Sequence, residues 1–161
     1  MMYKYAEPNK EFKVQPGGRW TEVYSVKLDT WMRWLQAEVL EDIDPELQVM
    51  ILRLNTNGFI THSCCAGHGR GHGFVVFYGI YDDTDMAEIL KPYYLRNIKC
   101  KKQDDKFHTE LDALEREITP PEYYVEHEGE TLPTTAVTFE GVGQSKKRKR
   151  RQGKQLALIL I

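Results

Sequence analysis

Apolar residues recur at helical spacing in four stretches of this chain. Trp31, Trp34 and Leu35 fall at i, i+3 and i+4, behind Asp29 or Thr30, either of which suits a helix cap. Leu47, Met50, Ile51 and Leu54 follow Asp44-Pro45-Glu46, which reads as a cap, a proline at the first helical position and an acid in the first turn. Asn57-Gly58 ends that helix, since both residues tolerate left-handed backbone. Met86, Ile89, Leu90 and Tyr93 share a face behind Asp83-Thr84, with Pro92 disturbing the last turn. Phe107, Leu111, Leu114 and Ile118 predict a fourth helix, stopped by Pro120-Pro121.

Between these stretches the pattern changes to runs and alternation. Residues 22–28, Phe59–Ser63, 95–102, Tyr123–Val125 and Thr134–Phe139 read as strands, and the near-continuous apolar run Phe74–Tyr81 as a buried one. Residues 1–19 are polar, carry Pro16-Gly17-Gly18 and predict an irregular arm. The resulting order, β-α-α-β-β-α-β-α-β-β, predicts an α+β fold: a single-domain sandwich with a mostly antiparallel sheet and about four helices. The domain is expected over 1–140, followed over 141–161 by a flexible basic linker and an apolar C-terminal segment.

Composition sharpens this picture only in places. With 161 residues, 41% hydrophobic and 29% charged, the chain has the balance of a globular domain. No apolar run approaches the ~20 residues of a membrane span. The first residues, Met1 to Pro8, lack the apolar core of a signal peptide, which leads to the expectation of a cytoplasmic protein. The net charge of −2 hides an asymmetry: residues 145–161 hold seven of the 22 basic residues and no acid, leaving 15 basic against 24 acidic residues before them. Three cysteines, Cys64, Cys65 and Cys100, two of them adjacent, do not make a secreted disulfide framework and read as free thiols or ligands.

The densest chemistry lies in Thr61-His62-Ser63-Cys64-Cys65-Ala66-Gly67-His68-Gly69-Arg70-Gly71-His72-Gly73. Alternating glycines let a backbone turn either way and bring its N–H groups close to a ligand, and successive N–H groups form anion nests. One reading is therefore a nucleotide- or nucleic-acid-binding loop built on Ser63, Cys65, Gly67, His68, Gly69, Arg70 and Gly71, with His72 beside it. A second is a zinc site: Cys65, His68 and His72 are spaced C-x2-H-x3-H, Cys64 offers an alternative thiolate, and Cys100 or His108 would complete the set. A third is thiolate catalysis by Cys64 or Cys65 with His62, His68 or His72 as base. The plainest is a glycine-rich hairpin with its cysteines in the core and its histidines in solvent.

Phe59-Ile60-Thr61-His62-Ser63-Cys64-Cys65-Ala66-Gly67-His68 followed by Gly73-Phe74-Val75-Val76-Phe77 resembles a set of small, uncharacterised bacteriophage and bacterial proteins. Those have a helix ending near Asn-x-Gly, a strand, a Ser/Cys-Cys-x-Gly-His loop and a second strand. Over about ten residues it is also similar to the wybutosine-synthesis tRNA methyltransferase family, whose strand ends in Ser-Ser-Cys-Ser-Gly-Arg. Ser63, Cys65 and Gly67 match that signature, whereas Cys64, Ala66 and His68 stand where it has Ser, Ser and Arg. This resemblance implies an α+β fold, S-adenosylmethionine as cofactor and RNA methylation as the enzyme alternative; the first implies residence in the host-cell cytoplasm.

Two further features bear on partners. Asp82, Asp83 and Asp85 precede a helix, where acids serve as caps or as magnesium ligands. Lys146, Lys147, Arg148, Lys149, Arg150 and Arg151 form an unbroken basic run with no acid nearby, suited to nucleic acid or to an acidic host protein, for which the chain would be an inhibitor or adaptor. Leu156–Ile161 is too short to span a membrane and suits addition of a strand to a sheet edge. Together these observations point to a nucleotide- or nucleic-acid-binding accessory protein of phage or mobile-element type, with loop 61–73 as ligand site and the tail adding phosphate affinity.

Overall fold

The computed structural model describes residues 4–16, 23–69, 71–102 and 132–142, with the backbone alone at His68, Lys101 and Lys102. The expected helix over 107–118, the strand at 123–125, Arg70, His108, the basic run and the apolar end lie outside the described residues.

The fold is α+β. Six strands form two antiparallel sheets: β1 (Glu11–Val14) pairs with β2 (Tyr24–Lys27), and β3 (Thr61–Cys65), β4 (His72–Tyr78), β5 (Lys99–Lys102) and β6 (Thr134–Glu140) form a sheet in the order β3-β4-β6-β5. The helices are α1 (Leu28–Trp34), α2 (Gln48–Thr56) and α3 (Asp83–Leu90). β1 lies where an irregular arm was expected. Its Phe12 and Val14 alternate inward beneath Trp31, Trp34 and Tyr78, so a short amphipathic stretch becomes a strand through non-local pairing.

The helices start differently from their sequence signals. α1 begins at Leu28 with no side-chain cap, and Asp29 Oδ1 accepts from Thr30 N–H at 2.8 Å inside the first turn. It widens into a π-helical turn over Leu35–Val39. A 3-10 turn, Pro45–Leu47, leads into α2, and Asp44 makes no side-chain cap. The side chain of Gln48 instead ties back the preceding turn, donating to Leu40 O and Ile43 O at 3.2 and 3.0 Å. At the far end Gly58 is left-handed, whereas Asn57 is not. α3 is capped one residue early, by Asp82, in a reciprocal capping box with Asp85. Pro92 sits in a closing 3-10 turn, Lys91–Tyr93.

The larger core lies between the sheet and two helices. Val75, Phe77, Val137 and Phe139 face Met50, Ile51 and Leu54 of α2 and Met86, Ile89 and Leu90 of α3. Each such side chain contributes about 1.5–3 kcal/mol on burial. A second cluster joins the β1–β2 hairpin, α1, Ile60 and Tyr78. Asn55 stitches the two together. It is fully buried, accepts from Trp31 Nε1–H at 2.9 Å and Thr61 N–H at 3.1 Å, and donates to Ile51 O and Thr61 Oγ1.

Candidate functional site

The segment singled out in the sequence divides into a strand and a loop. Ser63, Cys64 and Cys65 belong to β3, so the loop proper is confined to residues 66–71. Strand alternation then separates the two adjacent cysteines. Cys64 lies opposite Val75 and packs against the main core, while Cys65 lies opposite Phe74 on the outer face. The two thiols therefore do not converge on one ion or one reaction centre. Cys65 and Ser63 share the outer face, and His72 falls on it at the start of β4. A register shift between Thr61 and Ser63 marks a bulge at His62. The His62 ring meets the Tyr78 ring edge-on at 5.5 Å, and its Nδ1 stands 3.1 Å from Ser63 Oγ.

The loop's backbone is held by the protein itself. Ala66 N–H donates to Asp44 Oδ2 at 2.8 Å, Gly67 N–H to Cys65 Sγ at 3.4 Å, and Gly69 N–H to Val142 O at 3.1 Å. In return Val142 N–H donates to Ala66 O and Gly141 N–H to Gly71 O. An anion nest built on the amides of 66, 67 and 69 would have to displace these partners. The contacts also place Gly141 and Val142 in the folded unit, where the sequence suggested the start of a flexible linker.

Close packing explains two of the glycines. A Cβ on Gly67, at φ +79°, would meet Gly141 Cα and Gly73 N at 2.9 Å. A Cβ on Gly73 would meet Phe139 Cε2 at 2.3 Å and Cys65 O at 2.8 Å. Gly71 is different: at φ +60° its missing side chain faces open space, with nothing within 4 Å.

Cys100, considered as a further zinc ligand, is on β5 opposite Val137 and packs against the main core. Its N–H donates to Asp83 Oδ1 at 3.1 Å and its thiol to Asp82 O at 3.5 Å. Burial, then the hydrogen bond and charge of Asp83, then the charges of Asp82 and Asp85, push the thiol up to about 12. The aspartates considered as magnesium ligands are thus engaged in capping α3 and holding β5. Among the described residues no three His, Cys, Asp or Glu side chains gather to hold a metal ion. Nor is any helix among them long and apolar enough to cross a membrane.

No protein-family model, curated protein or solved structure matches this chain.

Two contributors to the site went unseen in the sequence. Asp44 reads there as a helix cap but braces the loop from the turn before α2. The second is a row that crosses all four strands of the sheet: Cys65 faces Phe74, Phe74 faces Thr138, and Thr138 faces Lys99. Cys65, Phe74 and Thr138 are half-buried and Lys99 is exposed. Only the strand pairing brings them together.

Proposed function

We propose that this chain is a nucleotide- or nucleic-acid-binding accessory protein, of phage or mobile-element type, whose ligand lies on the outer face of the β3–β4 hairpin. Ser63 and His72 supply donors to phosphate, Phe74 supplies a ring for a base, and the open side of Gly71 admits the ligand's backbone. The braced loop acts as a rigid wall rather than as the nest itself.

The observation that carries this reading is the pinning of Val142 to Ala66 and Gly69. In the sequence the basic run 146–151 begins four residues after Val142. Hydroxyl, imidazole and aromatic side chains on one hairpin, in a chain that also carries a dense cationic segment, match the chemistry of a phosphate-bearing base.

The test is fluorescence anisotropy of a labelled single-stranded oligonucleotide, with ATP as competitor, at two salt concentrations. The intact chain is expected to bind with strong salt dependence, ~0.7 log units of affinity lost per log unit of salt for each phosphate contacted. A chain ending at Val142 loses most of that dependence. Ser63→Ala and His72→Ala weaken both oligonucleotide and ATP. Absence of binding at low salt, or binding indifferent to both substitutions, refutes the reading.

A further inference from the structure

A second group of exposed side chains lies at the opposite edge of the sheet from the hairpin. Between Lys91 and Lys102 the sequence carries five basic residues and no acid, together with Tyr93 and Tyr94. Tyr94 is 89% exposed, the most open large apolar side chain described. Its backbone is left-handed, at φ +54°, an uncommon conformation for a bulky residue. Asn97 is left-handed too, at φ +55°. The turn is held from both sides, by Tyr94 N–H donating to Lys91 O and by Glu140 N–H donating to Arg96 O at 2.8 Å. An exposed aromatic ring is thus carried on a braced turn, where burial gives it no stabilisation.

Lys91, Arg96 and Lys99 are exposed and make no ion pair among the described residues. Among the nearby acids, Asp83 bonds Cys100 N–H, whose side chain lies on the face opposite Lys99, and Asp82 and Asp85 bond each other's backbone. Glu140, opposite His72 and joined through its N–H to Arg96 O, shares the outer face with Thr138, so one carboxylate stands beside the row at its end.

A cross-strand row links Lys99 of this edge to the hairpin, bordered on the same face by the fully buried Val76 and Ala136. From Cys65 through Phe74 and Thr138 to Lys99 there are three strand spacings, about 14 Å in all. We infer that a single-stranded nucleic acid crosses the outer face of the sheet along this row, from the hairpin to the Lys91–Lys99 segment, where Tyr94 stacks on a base and Lys91, Arg96 and Lys99 hold phosphates. This rests on the nucleic-acid reading of the hairpin and narrows it: the partner is a polymer with unstacked bases, not a mononucleotide and not a duplex. An exposed ring can stack only on a base that has left its neighbours, and stacking tolerates any sequence because every base has a π-face.

The experiment uses the full chain and a labelled deoxythymidine strand of ~12 nucleotides, within the range covered by small single-strand-binding domains. Tyr94→Ala is expected to weaken binding by about 5- to 100-fold, the usual effect of losing one stacked base, while Tyr94→Phe retains it. Lys99→Ala lowers the salt slope by about 0.7. ATP competes through the hairpin, so its affinity is unchanged by Tyr94→Ala and reduced by Ser63→Ala. A duplex of the same length binds more weakly than the single strand. If the strand binds and Ser63→Ala and His72→Ala weaken it, but Tyr94→Ala and Lys99→Ala do not, the track is wrong and the hairpin reading stands. If neither strand nor ATP binds, both fall. Equal binding of polyglutamate, insensitive to Tyr94→Ala, would show an acidic-protein surface instead and overturn the inference.

Discussion

Three glycines in and beside one loop separate two reasons for glycine, and alanine substitution measures the difference. Gly67 and Gly71 both have positive φ, +79° and +60°. An L-residue in left-handed backbone costs roughly 1–2 kcal/mol, so both substitutions incur that cost. Gly67→Ala adds a clash: its Cβ would stand 2.9 Å from Gly141 Cα and from Gly73 N, backbone atoms locked by the Val142 and Gly141 hydrogen bonds. Overpacking of this kind adds about 1–3 kcal/mol. The expected losses are therefore ~1–2 kcal/mol for Gly71→Ala and ~2–5 kcal/mol for Gly67→Ala. Gly73→Ala carries no left-handed cost, but its Cβ would meet the Phe139 ring and the backbone Cys65 O at 2.8 Å, an overpacking expected to cost about 1–3 kcal/mol. Urea unfolding followed by fluorescence of the buried Trp31 and Trp34 reads all three. Gly71→Ala destabilising as much as Gly67→Ala would refute the argument, since the open space around Gly71 would then not exist.

Other substitutions probe the supports of the site. Asn55→Ala strands the Trp31 Nε1–H and Thr61 N–H donors in the core and is expected to cost ~3 kcal/mol or more, read as a lower urea midpoint. Asp44→Ala removes the charged acceptor of Ala66 N–H and is expected to cost about 1.5–3 kcal/mol, with the change in amide exchange concentrated at Ala66 and its neighbours. Cys100 is expected to resist iodoacetamide at pH 8 in the folded protein and to react on unfolding, because its thiol is pushed up to about 12. The folded-state value lies above the ordinary 9.0, so the folded state favours the neutral thiol. The associated stability is complete below about pH 9 and declines toward pH 12.

Helical periodicity was legible in two of the described stretches with a consistently apolar face. Leu47, Met50, Ile51 and Leu54, and likewise Met86, Ile89 and Leu90, are buried as their spacing predicts. β1 was not legible, because four residues of alternation inside a polar stretch carry no signal until Tyr24–Lys27 pairs with them. At the site, the cluster of Cys, His and Gly was visible but its geometry was not. The strand expected over Phe59–Ser63 runs instead over Thr61–Cys65, and only the register shows Cys64 facing inward and Cys65 outward. Glycine spacing could not distinguish close packing at Gly67 from open space at Gly71. Asp44 illustrates the same limit: a good local cap signal was overridden by a distant amide.

The pairing of Val142 with Ala66 and Gly69 also orders events in time. β3 and β4 are neighbours in sequence and can zip together early, but their connecting loop takes its final shape only when the far end of β6 arrives. During synthesis, the hairpin of a chain that has not yet emerged as far as Val142 lacks the bonds that brace it. The loop's final geometry is thereby reserved for chains that extend through Val142, and a prematurely ended chain leaves it unbraced.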